Sequence, residues 1–131
     1  MLKPIKLAKR KFLSSLDLST KELIYIIDLA KNLKNKVTNI EYKNKVLGLI
    51  FDKSSTRTRV SFQVAMSRLG GTTIDLNPTT SQIGRGEPIK DTARVLSSYC
   101  DLIAIRTFNH SDLEEFFEKS IQEEANYSSR Y

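Results

Sequence analysis

A run of hydroxyl and guanidinium side chains, Ser54-Ser55-Thr56-Arg57-Thr58-Arg59, follows the apolar stretch Val46-Leu47-Gly48-Leu49-Ile50-Phe51 after Asp52 and Lys53. Hydroxyls and arginines are the groups that hold a tetrahedral oxyanion, the first as compact donors and the second as a charged fork. The apolar stretch reads as a strand buried on both faces. Val60, Val64 and the pair Ala65/Leu69 then recur at helical spacing. Ser55 and Thr56 are therefore predicted at a helix N-terminus, where backbone N–H groups lack intrahelical partners and the helix dipole favours negative charge. A plain helix cap with solvated arginines explains the same residues taken singly. The density of the cluster exceeds what one cap needs. The phosphate loop of nucleotide hydrolases is excluded, because no G-x-x-x-x-G-K-[ST] occurs.

Two further groups fall at comparable positions. The segment from Pro78 to Pro88 is rich in turn formers and too long for a tight connection, which marks it as a candidate functional loop. It carries Gln82, Arg85 and Glu87. Its Gly84-x-Gly86 is half of a dinucleotide fingerprint, without the third glycine and after the wrong strand. From the residues alone Gln82 is a polar loop residue, and Arg85 with Glu87 reads equally as a local ion pair of little worth. Arg106 ends the predicted strand from Asp101, where it is either a surface arginine or a member of a ligand crevice.

The elements that must position these groups are readable in order. Ser19 with Glu22 forms a capping box, Leu18 and Leu23 fit a hydrophobic staple, and a helix is predicted from about Thr20 to about Asn35. Its face of Leu23, Ile26, Ile27, Ala30 and Leu33 reads as core. Lys36 to Lys45 is an aperiodic connection. The second helix is expected to stop at Gly70-Gly71, with a strand over Thr72 to Asn77. Ile89, Ala93, Leu96 and Tyr99 predict a third helix, Asp101 to Arg106 a third strand, and Ser111 with Glu114 the cap of a fourth helix bearing Leu113, Phe116, Phe117 and Ile121. The expected fold is α/β: a parallel sheet with helices on both faces, a βαβαβα core in one domain, with right-handed crossovers. In such sheets ligands sit at the carboxyl ends of the strands, and the three candidate groups all follow such ends.

Composition sets the outer limits. A chain of 131 residues with 40% hydrophobic and 27% charged residues fits a single globular domain. No stretch reaches the length of about 18 apolar residues for a membrane helix, and no long apolar segment follows the first charges, so a cytoplasmic location is expected. Cys100 is the single cysteine and His110 the single histidine. That excludes an internal disulfide and a Cys/His zinc site, and leaves Cys100 as a small buried hydrophobe. The net charge of +6 is uneven: residues 1–48 carry eleven basic against four acidic side chains, whereas residues 112–131 carry two against six. No nucleic-acid motif accompanies the basic excess, so solvated lysines, with a smaller share from steering an anionic substrate, account for it.

The motif Phe51-x-Lys53-x-Ser55-Thr56-Arg57-Thr58, continued by Arg59-Val60-Ser61-Phe62, resembles the carbamoyl-phosphate signature of the aspartate/ornithine carbamoyltransferase family. Ser81-Gln82-Ile83-Gly84-Arg85-Gly86-Glu87 with Lys90-Asp91-Thr92-Ala93-Arg94-Val95-Leu96 is similar to the ornithine branch, and Ile105-Arg106-Thr107-Phe108 resembles the family's strand-end arginine. The resemblance spans Phe12 to about Phe117. It implies a carbamoyl-phosphate-binding domain over 1–131, with a basic segment at 1–18 and a polar, acidic tail at 118–131 that departs from the family.

The implied chemistry is attack of ornithine's side-chain amine on the carbamoyl carbon, giving citrulline and phosphate in arginine biosynthesis. Ser55, Thr56, Arg57 and Thr58 would hold the phosphate, Thr58 and Arg106 the carbamoyl oxygen, with Arg57, Thr58 and Arg106 catalytic and no metal or cofactor. Gln82 would reach a neighbouring subunit's site, should the family homotrimer form through this domain. The family's His-Pro-x-Gln motif and second, ornithine-binding domain have no counterpart in these residues. The chain alone is therefore expected to be inactive. A stand-alone phosphate-binding or assembly module, and a fragment of putrescine carbamoyltransferase, remain the alternatives. No nucleic acid or membrane partner is implied.

Overall fold

Val46–Phe51 forms strand β1, and five of its six residues are buried, Leu49 completely. Its neighbours are Thr72–Leu76 (β2) and Leu102–Arg106 (β3), both parallel to it, in the order β2-β1-β3. The structure, a computed structural model, describes residues 2–9, 11–36, 40–51, 55–76, 89–107 and 109–118, with the side chains of 89–91 and 93 left out. The chain divides into two compact units, Met1–Ile40 and Glu41–Tyr131. Among the described residues no helix is long and apolar enough to cross a membrane.

Among the described residues the second unit contains the sheet and the helices α2 over Thr56–Arg68, α3 over Ile89–Tyr99 and α4 over 110–118. Leu47, Leu49 and Phe51 project from β1 into one cluster with Met66 of α2, and Ile50 projects the opposite way to Leu96 of α3 and Phe116 of α4. Alternation along a strand sends successive side chains to opposite faces, so a strand apolar throughout requires cover on both. The winding agrees. The chain passes from β1 to β2 on one side and returns past β1 to β3. Keeping one hand through that reversal puts α2 and α3 on opposite faces, which is the expected α/β layering.

Local signals fix the boundaries. Gly70 has φ +82°. The amide of Gly71 donates to Met66 O at 3.0 Å and that of Gly70 to Ser67 O at 3.0 Å, the paired bonds of a Schellman cap. A side chain on Gly70 would meet the left-handed penalty. Gly48 serves packing instead: a Cβ there would lie 3.0 Å from Cys100 Sγ. Cys100 is half-buried against the Ile50 cluster, and burial, with Asp101 beside it, pushes its thiol pKa up.

Three expectations need correction. The apolar positions at helical spacing do not together mark the inner face of α2: Val60, Val64 and Ala65 are exposed, and the inward stripe runs through Arg59, Gln63, Met66 and Leu69. Met66, inserted among Leu47, Leu49 and Phe51, sets the rotation of the helix. Ser111 is not the cap of α4, which begins at 110; Asn109 precedes it, and its Nδ2 donates to Asp112 at 3.4 Å. Asn is as good a cap as Ser, so the earlier start costs nothing.

The third correction concerns the first unit. α1 spans Thr20–Lys34, and the Ser19/Glu22 capping box is formed as predicted. None of its residues is buried, however, and Leu23 and Ile27 are exposed. Among the described residues of this unit the helix is accompanied by the 3-10 turn Ser15–Asp17, which offers no second layer to bury a face against. That turn has its own capping box, Ser14 with Asp17. The Asp17 carboxylate accepts from the Leu13 amide and pairs with Lys9, and Glu22 accepts from the amides of Ala8 and Ser19, so both pKa values lie below the ordinary carboxylate range.

At the amino edge of the sheet, Asp101 binds the chain that enters β1. Its carboxylate accepts from the Val46 amide at 2.9 Å and from Lys45 Nζ at 3.2 Å, while its own amide donates to Val46 O at 2.9 Å. The Val46 amide bond is the main cause of its lowered pKa, with the Lys45 bond second. A carboxylate depressed by folding adds stability that is complete above its ordinary range and is lost as pH falls through the lowered value. Asp101→Asn should therefore reduce resistance to urea at neutral pH and make little difference in acid, where both side chains are neutral. An equal loss at both pH values would show that the charge of Asp101 contributes nothing.

Candidate functional site

The carboxyl edge of the sheet is where connections of opposite direction diverge. β1 leads away to β2, and its other neighbour β3 arrives by the return crossover; ligand crevices of open parallel sheets lie at such a switch point. Phe51, the last residue of β1, pairs in register with Arg106, the last of β3. Arg106 thus stands one strand spacing from the point where the chain leaves β1 on its way to α2. Its side chain is exposed.

On the β1 side, α2 begins at Thr56 with Ser55 in the cap position. Ser55 has φ −153° and ψ 82°, and its carbonyl accepts the first helical bond from the Arg59 amide at 3.2 Å. Its hydroxyl makes no capping bond. The bland reading, in which this serine merely closes the helix, is therefore not what the side chain does. Thr56, Arg57 and Thr58 are exposed and Ser55 is half-buried. No acidic residue occupies the first turn of α2, whereas α1 has Glu22 there. The first turn of α2 thus has no carboxylate of its own and carries Arg57 in addition, an arrangement suited to an anion with several acceptor oxygens.

Arg59 is the residue whose role sequence reasoning missed. The plain-cap alternative leaves it solvated, yet its side chain is about three-quarters buried on the sheet side of α2. Its guanidinium carbon lies 5.6 Å from the centroid of the Phe51 ring, and Nε is 3.2 Å from Asp75 Oδ2 of β2. The Nε–H does not point at that oxygen, so the pair is a charge contact rather than an aligned hydrogen bond, and Nε has no hydrogen-bond partner among the described residues. Phe62, one turn along, meets the same Phe51 ring edge-on at 6.2 Å. The detectable signal was the spacing of Arg59, Gln63 and Met66, which share one helix face.

Gln82, Arg85, Glu87 and the whole segment from Pro78 to Pro88 lie outside the described residues, as do Lys53 and Phe108. Among the described residues no group of three or more His, Cys, Asp or Glu side chains is arranged to hold a metal ion.

Comparison with known proteins gives a consistent picture. Residues 10–126 match the model of the aspartate/ornithine carbamoyltransferase carbamoyl-P binding domain. An ornithine carbamoyltransferase of Prochlorococcus marinus (strain MIT 9312) is 80% identical over 116 residues, covering 88% of this chain and 38% of that protein. The ornithine carbamoyltransferase structure from Pyrococcus furiosus superposes with a TM-score of 0.79 at 42% identity, over 89% of this chain and 39% of that one. An aspartate transcarbamoylase from Trypanosoma cruzi, in complex with carbamoyl phosphate and aspartate, superposes at 0.78 with 28% identity, over 87% of this chain and 39% of that one. The chain thus spans well under half the length of the relatives it matches.

If the first turn of α2 is an anion site, Arg57→Ala should weaken phosphate binding about 10-fold, the low end of the roughly 1.5–3 kcal/mol of a charge-assisted bond because the side chain is exposed. Calorimetric titration with inorganic phosphate checks this. Unchanged affinity would move the anion elsewhere.

Proposed function

Because this chain belongs to the aspartate/ornithine carbamoyltransferase family through its carbamoyl-phosphate-binding domain, we propose that it is the part of an ornithine carbamoyltransferase that receives carbamoyl phosphate. The phosphate is held by Ser55, Thr56, Arg57 and Thr58, and the carbamoyl oxygen by Thr58 and Arg106. The observation that supports this best is the register of β1 with β3, which brings Arg106 beside the exit of the strand that feeds the uncapped Ser55.

The physical task is to bind a dianion and stabilise charge developing at the carbamoyl oxygen as the amine attacks. The amine nitrogen forms a bond to the carbamoyl carbon, the bond from that carbon to the phosphate oxygen breaks, and phosphate leaves with the electron pair. The amine proton passes to solvent or to the leaving phosphate. A guanidinium beside the carbamoyl oxygen stabilises the tetrahedral stage more than the ground state, and hydroxyls and N–H groups already in position replace water without reorganising. Arg57 offsets the charge that accumulates on the departing phosphate. Every step is carried by fixed donors, and none calls on a metal or cofactor.

In this reading the acceptor is ornithine, by likeness to relatives bearing that name, and the product citrulline serves arginine biosynthesis in the cytoplasm. The groups that bind the amine belong to a second domain beyond the 131 residues of this chain. Gln82 completes the site of a neighbouring copy in a homotrimer. Positioning of both reactants accounts for up to about 7–11 kcal/mol of such a barrier, so the chain by itself should bind phosphate yet form citrulline at no enzyme-like rate. A colorimetric citrulline assay on the purified 131-residue chain with carbamoyl phosphate and ornithine measures this. Robust turnover would contradict the division of labour.

A further inference from the structure

Arg57 and Arg59 differ by two positions, and residues two apart on an α-helix lie on nearly opposite sides. Arg57 is exposed at the candidate site, and Arg59 is directed into the sheet. The inward arginine touches two strands at once. Its guanidinium lies over Phe51, the terminal residue of β1, at 5.6 Å, and its Nε approaches Asp75 of β2 at 3.2 Å. Asp75 pairs in register with Leu49, so its side chain shares the face of the sheet on which α2 packs. Apolar contact nearer this end of the helix comes from Phe62, which meets the Phe51 ring edge-on. Met66 is the one buried residue of α2, two turns further on from Arg59, and it anchors the C-terminal half of the helix among Leu47, Leu49 and Phe51.

We infer that Arg59 is a positioning residue: clamped between Phe51 and Asp75, it sets the tilt of the first turn of α2, and so the direction in which Ser55, Thr56, Arg57 and Thr58 present their donors. The inference rests on the reading that this turn binds the phosphate of carbamoyl phosphate. A cation over an aromatic ring and a charge contact to a carboxylate are made at once by one planar, delocalised group, and the point charge of a lysine does not reproduce both. An alternative account makes Arg59 simple helix-to-sheet packing, adding positive potential near the turn and nothing more.

The sign of one substitution separates these accounts. Asp75 is a negative charge near an anion site, so by charge alone Asp75→Asn should tighten phosphate binding or leave it unchanged. As half of the clamp, its loss should loosen Arg59 and weaken binding, by about 2- to 5-fold for a partly exposed pair. Arg59→Lys keeps the charge and loses the planar geometry, and should weaken binding to a similar extent.

The experiment titrates the 131-residue chain with inorganic phosphate in four forms: unaltered, Arg57→Ala, Asp75→Asn and Arg59→Lys. Amide hydrogen exchange is recorded in parallel. The inference predicts weaker binding in all three variants. In the last two it also predicts faster exchange at the amides of 57–60, with protection around Met66 retained. If Arg57→Ala loses affinity but Asp75→Asn binds as tightly as the unaltered chain or more so, the clamp is overturned and the site stands. If the unaltered chain binds no phosphate, the site reading falls and the inference with it.

Discussion

The burial of β1 on both faces is the constraint from which the rest follows. A strand with Leu47, Leu49 and Phe51 on one side and Ile50 on the other must have helices above and below it. In a parallel sheet that cover comes from the crossovers themselves. The reversal of winding at β1 puts the switch point of the sheet at the carboxyl edge between β1 and β3. The polar site proposed at this edge lies where the apolar strand ends.

Most of the architecture was legible because it is written in local signals. The apolar run 46–51, the capping box at Ser19 and Glu22, and the glycine pair at 70–71 each act within a few residues, and each sits where the sequence indicated. The rotation of α2 was less legible. Val60 and Val64 are the conspicuous hydrophobes, but which side of a helix turns inward is decided by partners distant in sequence, here Leu47, Leu49 and Phe51 receiving Met66. A long, flexible thioether fills that space where a β-branched side chain would not. The apolar face of α1 was misread for a related reason. Periodicity reports that a face is apolar, and what covers it is a tertiary matter.

The candidate site divides along the same line. Ser55, Thr56, Arg57 and Thr58 were readable as a cluster, and the position of Arg106 followed from the strand order once the sheet was parallel. The uncapped state of Ser55 was not readable, since a serine before a helix ordinarily bonds back to it. Arg59 was hidden by its charge. An arginine in a polar run reads as solvated, and its burial depends on Asp75, which lies on a different strand, and on the ring that ends β1. The two arginines of one motif thus have opposite surroundings. One faces the site, and the other faces the sheet that supports it.

The central claim is that the start of α2 and the end of β3 form one anion site. Its most direct test is a nitrogen–proton NMR titration of the chain with carbamoyl phosphate, following every assigned amide. The account predicts that the largest shifts fall on the amides of 55–59 and near Arg106, saturating together with a single affinity. Shifts gathered elsewhere, or at the turn without Arg106, would contradict it.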